Sequence, residues 1–250
     1  MKKLGFGLMR LPLRNPNDHI SIEMDTLNQM VDASLERGFT YFDSAYMYHL
    51  SKSETAIREA LVNRHNRESF TLATKMPVMI LKTREDQERI FNEQLEKCGV
   101  DYFDYYLIHN LGVTHYAIAE KLDTFKFIQE KKKEGKIRQI GFSYHDNADL
   151  LEKILTAHPE VDFVQLQLNY LDWDNEGIQS GKCFEVVRKH KKPIVAMEPV
   201  KGGILANVPE KTVKLFKNCE ILFCFAARYI CSPVVANWEI TYLCSSRDFS

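Results

Sequence analysis

Three residues of the sequence together have the chemistry of a proton donor: Tyr48, Lys75 and Asp43. A tyrosine hydroxyl has a pKa near ~10 in water, which is too high for efficient proton donation at neutral pH. A nearby ammonium group stabilises the phenolate, and a carboxylate behind that ammonium keeps it charged and fixed. A fold that brings these three side chains together would therefore create a tuned acid.

A fourth residue, His109, adds an imidazole that can orient a carbonyl oxygen. A donor beside a polarised carbonyl is what hydride transfer requires, because the oxygen gains negative charge as the hydride arrives. No side chain supplies a hydride, so the hydride must come from a cofactor. The four residues together predict the reduction of a carbonyl compound.

Each of these residues also has an ordinary structural explanation when it is considered singly. Asp43, which precedes a serine, can begin a turn, Lys75 can be an exposed lysine at a strand end, and His109 can be a hydrogen-bonded loop histidine. Tyr48 is one of eleven tyrosines. Their convergence at one place is what separates the catalytic interpretation from these alternatives.

Short segments of β-forming residues alternate with longer segments of helical periodicity through most of the chain. Each gap between predicted strands is long enough for one crossover helix. Seven such units without a break in composition favour a closed α/β barrel over a doubly wound sheet, and no G-x-G-x-x-G turn is present. The predicted strands cover residues 5–9, 41–43, 71–75, 105–109, 139–142, 163–169 and 194–198.

The ends of several helices can also be predicted. Ser21 is expected to cap the first helix and Gly38 to end it. Thr83, with Asp86 three residues later, resembles a capping box. Further helices are predicted over residues 119–134, 147–157 and 179–190.

The active site of such a barrel lies at the C-terminal ends of its strands. Polar residues at the ends of apolar strands are therefore candidates for function before any family is considered. This rule selects the following residues: Asp43, Lys75, His109, Ser143 and Gln165.

Composition argues against several other classes of protein. The chain of 250 residues is 45% hydrophobic, and its net charge of −1 gives no sign of nucleic-acid or membrane binding. No segment approaches the ~20 apolar residues of a membrane span, and the N-terminal apolar segment is too short for a signal peptide. Six cysteines without a C-x-x-C pair predict a cytoplasmic protein that binds no metal. The sequence carries no signal for an oligomeric state.

Three segments resemble the motifs of the aldo-keto reductase family. Residues 41–45, with Tyr48 and Glu54 following, are similar to the family's signature. Residues 71–75 resemble its lysine strand, and residues 104–109 resemble its histidine strand. The motifs occur in the family's order, on the strands where the family has them.

The resemblance, which covers roughly residues 5–203, implies a single domain over residues 1–250. The implied fold is a (β/α)8 TIM-type barrel, incomplete or altered at its C-terminal end. The implied reaction is NAD(P)H-dependent reduction of an aldehyde or ketone to an alcohol. Tyr48 would be the general acid, Lys75 and Asp43 would tune it, and His109 would position a small carbonyl substrate. NADPH is the expected cofactor, with NADH as the alternative.

The resemblance also implies which residues hold that cofactor. Ser143 and Gln165 would hold the nicotinamide carboxamide. Met197 stands where the family often has an aromatic residue, which implies weaker stacking on the nicotinamide. The segments at residues 5–10 and 198–203 would pass the ribose and the pyrophosphate. The predicted cofactor-binding residues are Met9, Arg10, Asp43, Ser143, Gln165, Met197, Pro199, Val200, Lys201 and Gly202.

The bacterial branch that the chain most resembles often carries a C-terminal iron–sulfur module. No C-x-x-C-x-x-C segment is present, so no iron–sulfur cluster is expected. After residue 203 the resemblance decays. A helix at residues 221–230 and an eighth strand at residues 239–244 are expected, with Ser245, Ser246 and Arg247 as weak candidates for a phosphate contact.

Two other functions remain open at this point. The expected loss of the C-terminal cofactor-binding segment allows a barrel that binds a cofactor weakly, or not at all, and has little or no activity. A metal-dependent barrel hydrolase would need clustered histidines and carboxylates at several strand ends. It is disfavoured because His109 is the only histidine at a predicted strand end.

Overall fold

Eight strands form the wall of a barrel in the computed structural model, which describes residues 4–206 and 239–244. The strands are β1 (Leu4–Gly7), β2 (Tyr41–Asp43), β3 (Thr71–Met76), β4 (Phe103–Leu111), β5 (Ile137–Tyr144), β6 (Phe163–Gln167), β7 (Ile194–Met197) and β8 (Glu239–Cys244). The α-helices within these residues are α1 (Met24–Glu36), α2 (Ser53–Ile57), α3 (Glu85–Cys98), α4 (Val113–Lys121), α5 (Thr124–Lys133), α6 (Ala148–Ala157) and α7 (Ser180–Lys189). None of the described helices is long and apolar enough to cross a membrane.

The first seven strands are parallel, and each pairs with the next. The register places Asp43 beside Ala73 and Ser143 beside Gln165. The connections carry the helices, as the alternation of sequence patterns predicts. The expected α/β barrel is therefore confirmed.

The eighth strand departs from the regular arrangement. A strand at residues 239–244 is present, and it closes the barrel by pairing with both β7 and β1. It runs antiparallel to both neighbours, whereas a regular (β/α)8 barrel has eight parallel strands. An antiparallel strand still satisfies the backbone hydrogen bonds of both edges, so closure does not depend on strand direction. The expected C-terminal alteration is confirmed. The helix predicted at 221–230 and residues Ser245, Ser246 and Arg247 lie outside the described residues.

Successive side chains along each strand point alternately out toward the helices and into the barrel. Outward-facing residues such as Phe42, Leu72 and Ile108 join the large core between the barrel and its helices. The inward-facing residues form a second, smaller cluster, here called the inner core. Its members are Tyr41, Ala73, Leu107, Phe163 and Val195.

The first helix begins three residues after Ser21, so the prediction that Ser21 caps it is wrong. Ile22 is still extended, because it pairs with Leu13 in an isolated antiparallel bridge. Glu23 takes the capping position, and its carboxylate accepts a hydrogen bond from the N–H of Thr26 at 2.6 Å. The Ser21 hydroxyl instead donates to a backbone carbonyl in the preceding loop.

The single helix predicted over residues 119–134 is also wrong, because this segment holds the end of α4 and the whole of α5. The chain turns between them at Asp123, whose φ is 55°. The preceding carbonyl, of Leu122, accepts a hydrogen bond from the side chain of Gln87 on α3 at 2.9 Å. Arg84, just before α3, forms an ion pair with Asp123. The break is thus stabilised by another part of the chain.

The inner core generates the first prediction, at Gly141 of β5. A Cβ atom there would lie 2.6 Å from the backbone oxygen and 2.8 Å from the ring of Phe163. We expect Gly141→Ala to lower the free energy of unfolding by about 1–3 kcal/mol, because overpacking strains a closed core. Urea unfolding followed by circular dichroism measures the change.

Gly177→Ala is the matched control, because Gly177 is exposed and a Cβ there would meet only the Asn175 side chain, at 3.4 Å. Its stability should stay within about 1 kcal/mol of the parent. Equal stabilities for the two variants would show that the inner core is not closely packed at Gly141.

Candidate active site

The candidate site is the next layer of inward-facing side chains above the inner core. Two residues after any inward-facing strand residue, the side chain points inward again, one layer nearer the C-terminal end. The side chains two residues after each inner-core residue, and after Gly141 in β5, therefore form the next layer across the end of the barrel. This upper layer consists of Asp43, Lys75, His109, Ser143, Gln165 and Met197.

Asp43 and Lys75 form a buried ion pair at the centre of this layer. The Lys75 ammonium also donates to the backbone oxygen of Ser44 at 2.7 Å. The second carboxylate oxygen of Asp43 accepts hydrogen bonds from the Tyr41 hydroxyl and the Gln165 amide, each at 2.9 Å. The two charges are thus held by Tyr41 on β2, by the Ser44 carbonyl just after β2, and by Gln165 on β6.

Lys75 keeps its charge although its side chain is only 1% exposed. Burial opposes the charged form, but the attraction of the Asp43 carboxylate, with a contribution from Tyr48, outweighs it. The pKa of Lys75 is therefore raised above its ordinary value. The Lys75 ammonium therefore stays positively charged, at a position where it could stabilise a phenolate.

Tyr48 lies on the loop between β2 and α2, and this loop brings its hydroxyl within 3.4 Å of Lys75 Nζ. The ring of Tyr48 meets the ring of His109 edge to face, with 5.8 Å between their centroids. Tyr48, Lys75, Asp43 and His109 are therefore brought together at the C-terminal end of the strands.

His109 is neutral in this setting. Burial, and then the positive charge of Lys75, lower the pKa of His109 to about 3. Its Nδ1 atom is buried and has no hydrogen-bond partner among the described residues. A neutral imidazole can donate one hydrogen bond to an oxygen atom without being a source of protons at neutral pH.

A cavity of about 720 Å³ opens above Tyr48 and His109, within the usual size range of ligand pockets. Most of the residues predicted to bind a cofactor line it. They are Met9, Arg10, Asp43, Gln165, Met197, Lys201 and Gly202.

Three predicted cofactor residues do not line this cavity, namely Ser143, Pro199 and Val200. All three are buried. The Ser143 hydroxyl accepts a hydrogen bond from the backbone N–H of Asn110 at 2.8 Å. On the segment after β7, the residues that line the cavity are Glu198, Lys201, Gly202 and Ile204.

Gln165 has an unused hydrogen-bond acceptor beside the cavity. Its amide nitrogen donates to Asp43, while its buried oxygen has no partner among the described residues. A buried acceptor without a donor costs about 1–3 kcal/mol, so a ligand that donates a hydrogen bond fits this place. The carboxamide N–H of a nicotinamide ring is such a donor.

The loop after β7 suits the close approach of a ligand to its backbone. Gly202 and Gly203 have φ values of 63° and 94°, which glycine adopts without strain. A Cβ atom on Gly202 would lie 3.4 Å from the guanidinium of Arg10, across the cavity. A side chain at Gly202 would therefore narrow the path along the loop.

Two ion pairs hold the loops around the cavity. Arg10, after β1, pairs with Glu198, after β7, at 2.9 Å. Lys201 pairs with Asp172, which lies on the loop after β6 and also accepts a hydrogen bond from Asn169 at 2.7 Å. Burial favours the protonated form of Asp172, but the bonds from Lys201, Asn169 and a glutamine outweigh it and lower its pKa. Asp172 therefore anchors Lys201 as a carboxylate.

His145 is a functional candidate that the sequence prediction missed. It lines the cavity directly after β5, two residues beyond Ser143. The statement that His109 is the only histidine at a strand end is therefore wrong. The sequence pattern predicts that this strand stops at residue 142, but the strand continues to Tyr144. The other missed residues of the cavity lining are Asn110, Gln167, Glu198 and Ile204.

A second histidine in the cavity does not make a metal site. Among the described residues, no three histidine, cysteine or carboxylate side chains are placed so that they could hold a metal ion. This finding concerns residues 4–206 and 239–244 only.

Residues 3–224 match the model of the Aldo/keto reductase family. The chain belongs to the aldo-keto reductase family. The resemblance seen in the motifs is thereby confirmed over most of the chain.

Two curated relatives and one solved aldo-keto reductase illustrate the likeness. Aldo-keto reductase str7 of Strobilurus tenacellus is 27% identical over 222 residues, which cover 83% of this chain and 60% of that protein. The NADH-specific methylglyoxal reductase of Escherichia coli K12 is 26% identical over 243 residues, covering 82% of this chain and 73% of that protein. An aldo-keto reductase from Klebsiella pneumoniae, in complex with NADP and acetate, has a TM-score of 0.63.

The Klebsiella structure covers 93% of this chain and 73% of its own, at 21% identity, so this likeness shows the fold alone. The chain spans 60% to 67% of the length of several curated aldo-keto reductase relatives. What those complete proteins do is therefore not transferred to this chain by similarity alone.

The second prediction concerns the charge of His109 in this aldo-keto reductase. Its ring signals in NMR spectra should remain those of a neutral imidazole from pH 8 down to pH 5, since its pKa is lowered to about 3. In the urea-unfolded chain the imidazole should titrate near ~6.5. Unfolding then takes up a proton, so His109 reduces the stability of the fold progressively as the pH falls below ~6.5.

The His109→Gln variant assigns the signals, because only the His109 resonances disappear from its spectrum. A His109 titration midpoint above pH 5.5 would show that burial and Lys75 do not keep the imidazole neutral.

Proposed function

We propose that the protein reduces an aldehyde or ketone to an alcohol with a nicotinamide cofactor, and that Tyr48 is the general acid. The observation that carries the proposal is the Tyr48 hydroxyl 3.4 Å from the buried Lys75 ammonium, with the Asp43 carboxylate behind it. Family membership and the cavity above these residues support it.

The geometry favours Tyr48 over His109 as the source of the proton. With its pKa lowered to about 3, His109 carries no dissociable proton of the right acidity at neutral pH. Tyr48 gives its proton to the carbonyl oxygen, and Lys75 stabilises the phenolate that remains. Asp43 keeps Lys75 charged and in place. His109 donates a hydrogen bond to the same oxygen and so fixes the direction of the carbonyl.

The nicotinamide cofactor, when bound, supplies the hydride that the carbonyl carbon receives. In the proposed arrangement Gln165 accepts a hydrogen bond from the carboxamide, and Ser143, its neighbour on β5, supports this position. Met197 packs against the ring without aromatic stacking. Gly202 lets the loop backbone approach the phosphates, with Arg10 and Lys201 as the nearby positive charges.

NADPH is the proposed cofactor, with NADH as the alternative. The Klebsiella protein was solved with NADP, whereas the Escherichia coli relative is described as NADH-specific. The proposed substrate is a small carbonyl compound, because the cavity of about 720 Å³ must also accept the nicotinamide. The buried free thiols of Cys98 and Cys183 support a reducing, cytoplasmic location.

The third prediction tests Tyr48. Tyr48→Phe should lower kcat roughly 10²- to 10⁴-fold, because general acid catalysis contributes about that much. The Kd of NADPH should stay nearly unchanged, since the phenol acts chiefly in the transition state. NADPH oxidation against a panel of aldehydes and ketones, together with a fluorescence titration of NADPH, measures both.

Tyr46→Phe is the matched control. It removes a hydroxyl two residues away that is hydrogen-bonded to Glu93 at 3.1 Å, and it should leave kcat unchanged. Near-normal turnover in Tyr48→Phe would mean that another group donates the proton. A parent protein that binds NADPH but reduces no carbonyl compound would favour the non-catalytic cofactor-binding barrel.

The fourth prediction tests Gln165. Gln165→Leu should raise the Kd of NADPH roughly tenfold, because the carboxamide loses its acceptor. Gln87→Leu is the matched control, since Gln87 on α3 is equally buried and also has an unpartnered amide oxygen, but does not line the cavity. It should weaken the fold without changing the Kd. Equal values of Kd for the parent and Gln165→Leu would exclude Gln165 from cofactor binding.

A further inference from the structure

His49 connects the loop that carries Tyr48 to two other segments. Its Nε2 atom lies 3.1 Å from the backbone nitrogen of Leu11, in the segment that follows β1. Its Nδ1 atom lies 2.8 Å from the backbone oxygen of His19, in the loop before α1. The segment that it holds at Leu11 begins with Met9 and Arg10, which line the cavity.

These two contacts fix the protonation state of the ring. A backbone N–H can only donate, so Nε2 must present a lone pair to Leu11. A carbonyl oxygen can only accept, so Nδ1 must carry the proton that it donates to His19. Only the neutral imidazole protonated on Nδ1 meets both requirements. An imidazolium would set two N–H groups against each other at Leu11, and that hydrogen bond would be lost.

The backbone around His49 needs such a constraint. His49, Leu50 and Ser51 have φ values of 51°, 49° and 67°, a region that residues other than glycine rarely adopt. Three consecutive residues in this conformation persist only where surrounding contacts enforce it. The turn begins directly after Tyr48, so the constraint on His49 also fixes the direction in which Tyr48 leaves the backbone.

We propose that His49 is a positioning residue for Tyr48. Its neutral ring connects the Tyr48 loop to the segment after β1. This contact holds the Tyr48 hydroxyl beside Lys75, and it holds the part of the cavity wall formed by that segment next to both side chains. The inference rests on the proposed function, in which Tyr48 is the general acid. An imidazolium at His49 could not accept from Leu11, so a proton taken up by the ring would break this contact and slow the reaction.

The charged groups around His49 lie on the segments that meet at its ring. Both hydrogen-bond partners of the ring are backbone atoms. On the segments that meet at His49, Arg10 is paired with Glu198, and Asp18 accepts the N–H of Ile20 at 3.1 Å. The remaining titratable or charged residues of these segments are Arg14, His19, Glu23, Tyr46, Tyr48 and Lys52.

The experiment compares His49→Gln and His49→Ala with the parent between pH 8 and pH 5. A glutamine amide oxygen can accept from Leu11 at every pH in this range. At pH 7.5, His49→Ala should lose roughly ten- to a hundredfold in kcat, since small displacements of a catalytic group have effects of this size. His49→Gln should recover most of this loss, and the acid-side fall in kcat of the parent should be flattened in it.

His19→Ala is the control, because it removes a neighbouring histidine whose side chain is exposed and whose backbone alone contacts His49. Its pH profile should match the parent. An unchanged acid-side fall in His49→Gln, or no loss of kcat in His49→Ala, overturns the proposal.

Ring ¹⁵N NMR of the parent tests the same inference without any substrate. The His49 signals should show a protonated Nδ1 and an unprotonated Nε2 at pH 7.5. The opposite tautomer overturns the positioning role even in an active enzyme. If the NMR spectra show the predicted tautomer but the protein has no reductase activity, the proposed function is wrong and the contacts of His49 are still as inferred.

Discussion

The buried ion pair between Asp43 and Lys75 is the interaction on which the site depends. Removing either charge from water costs several kcal/mol, and the attraction between them compensates only when the remaining hydrogen bonds are also satisfied. Here those bonds come from Tyr41 on β2, the Ser44 carbonyl after β2, and Gln165 on β6. Strands β2 and β6 face each other across the barrel. The hydrogen bonds of the ion pair can therefore form only when the barrel is closed. The fold and the proposed chemistry are therefore stabilised by the same contacts.

One charge also divides the roles of the residues around it. Lys75 lies beside both Tyr48 and His109, and its positive charge affects the proton of each side chain differently. It disfavours the protonated, cationic form of His109, which burial already disfavours, and the pKa of that imidazole falls. It favours the anionic form of a phenol, and Tyr48 is the phenol 3.4 Å away. In the proposed function, a single buried ammonium thus disfavours His109 as the acid and favours Tyr48.

The parts of the fold that the sequence predicts are those that depend on local periodicity. The period of two along a strand places Asp43, Lys75 and His109 in one layer, because each stands two residues after an inner-core residue. His145 follows Ser143 of this layer by two residues, and the sequence prediction misses it because β5 continues two residues beyond its predicted end. The break at Asp123 could not be found in this way, since Gln87 and Arg84 of a distant segment stabilise it. The direction of β8 cannot be predicted from local periodicity either, because a parallel or an antiparallel strand would satisfy the backbone hydrogen bonds of β7 and β1.

The two sides of the cavity are held by contacts of different strength. On the side of β2 to β4, the layer is fixed by a fully buried ion pair that cannot open without leaving a charge uncompensated. On the side of β7 and β1, the loops meet through Arg10 and Glu198, whose side chains are 43% and 18% exposed. A partly exposed pair of this kind contributes about 0–1 kcal/mol, because water can replace either partner. In the proposed function a long dinucleotide passes between these loops, whereas the reacting groups must not move. The strong contacts therefore lie where the proposed proton transfer would take place, and the weak contact lies where the proposed cofactor would enter.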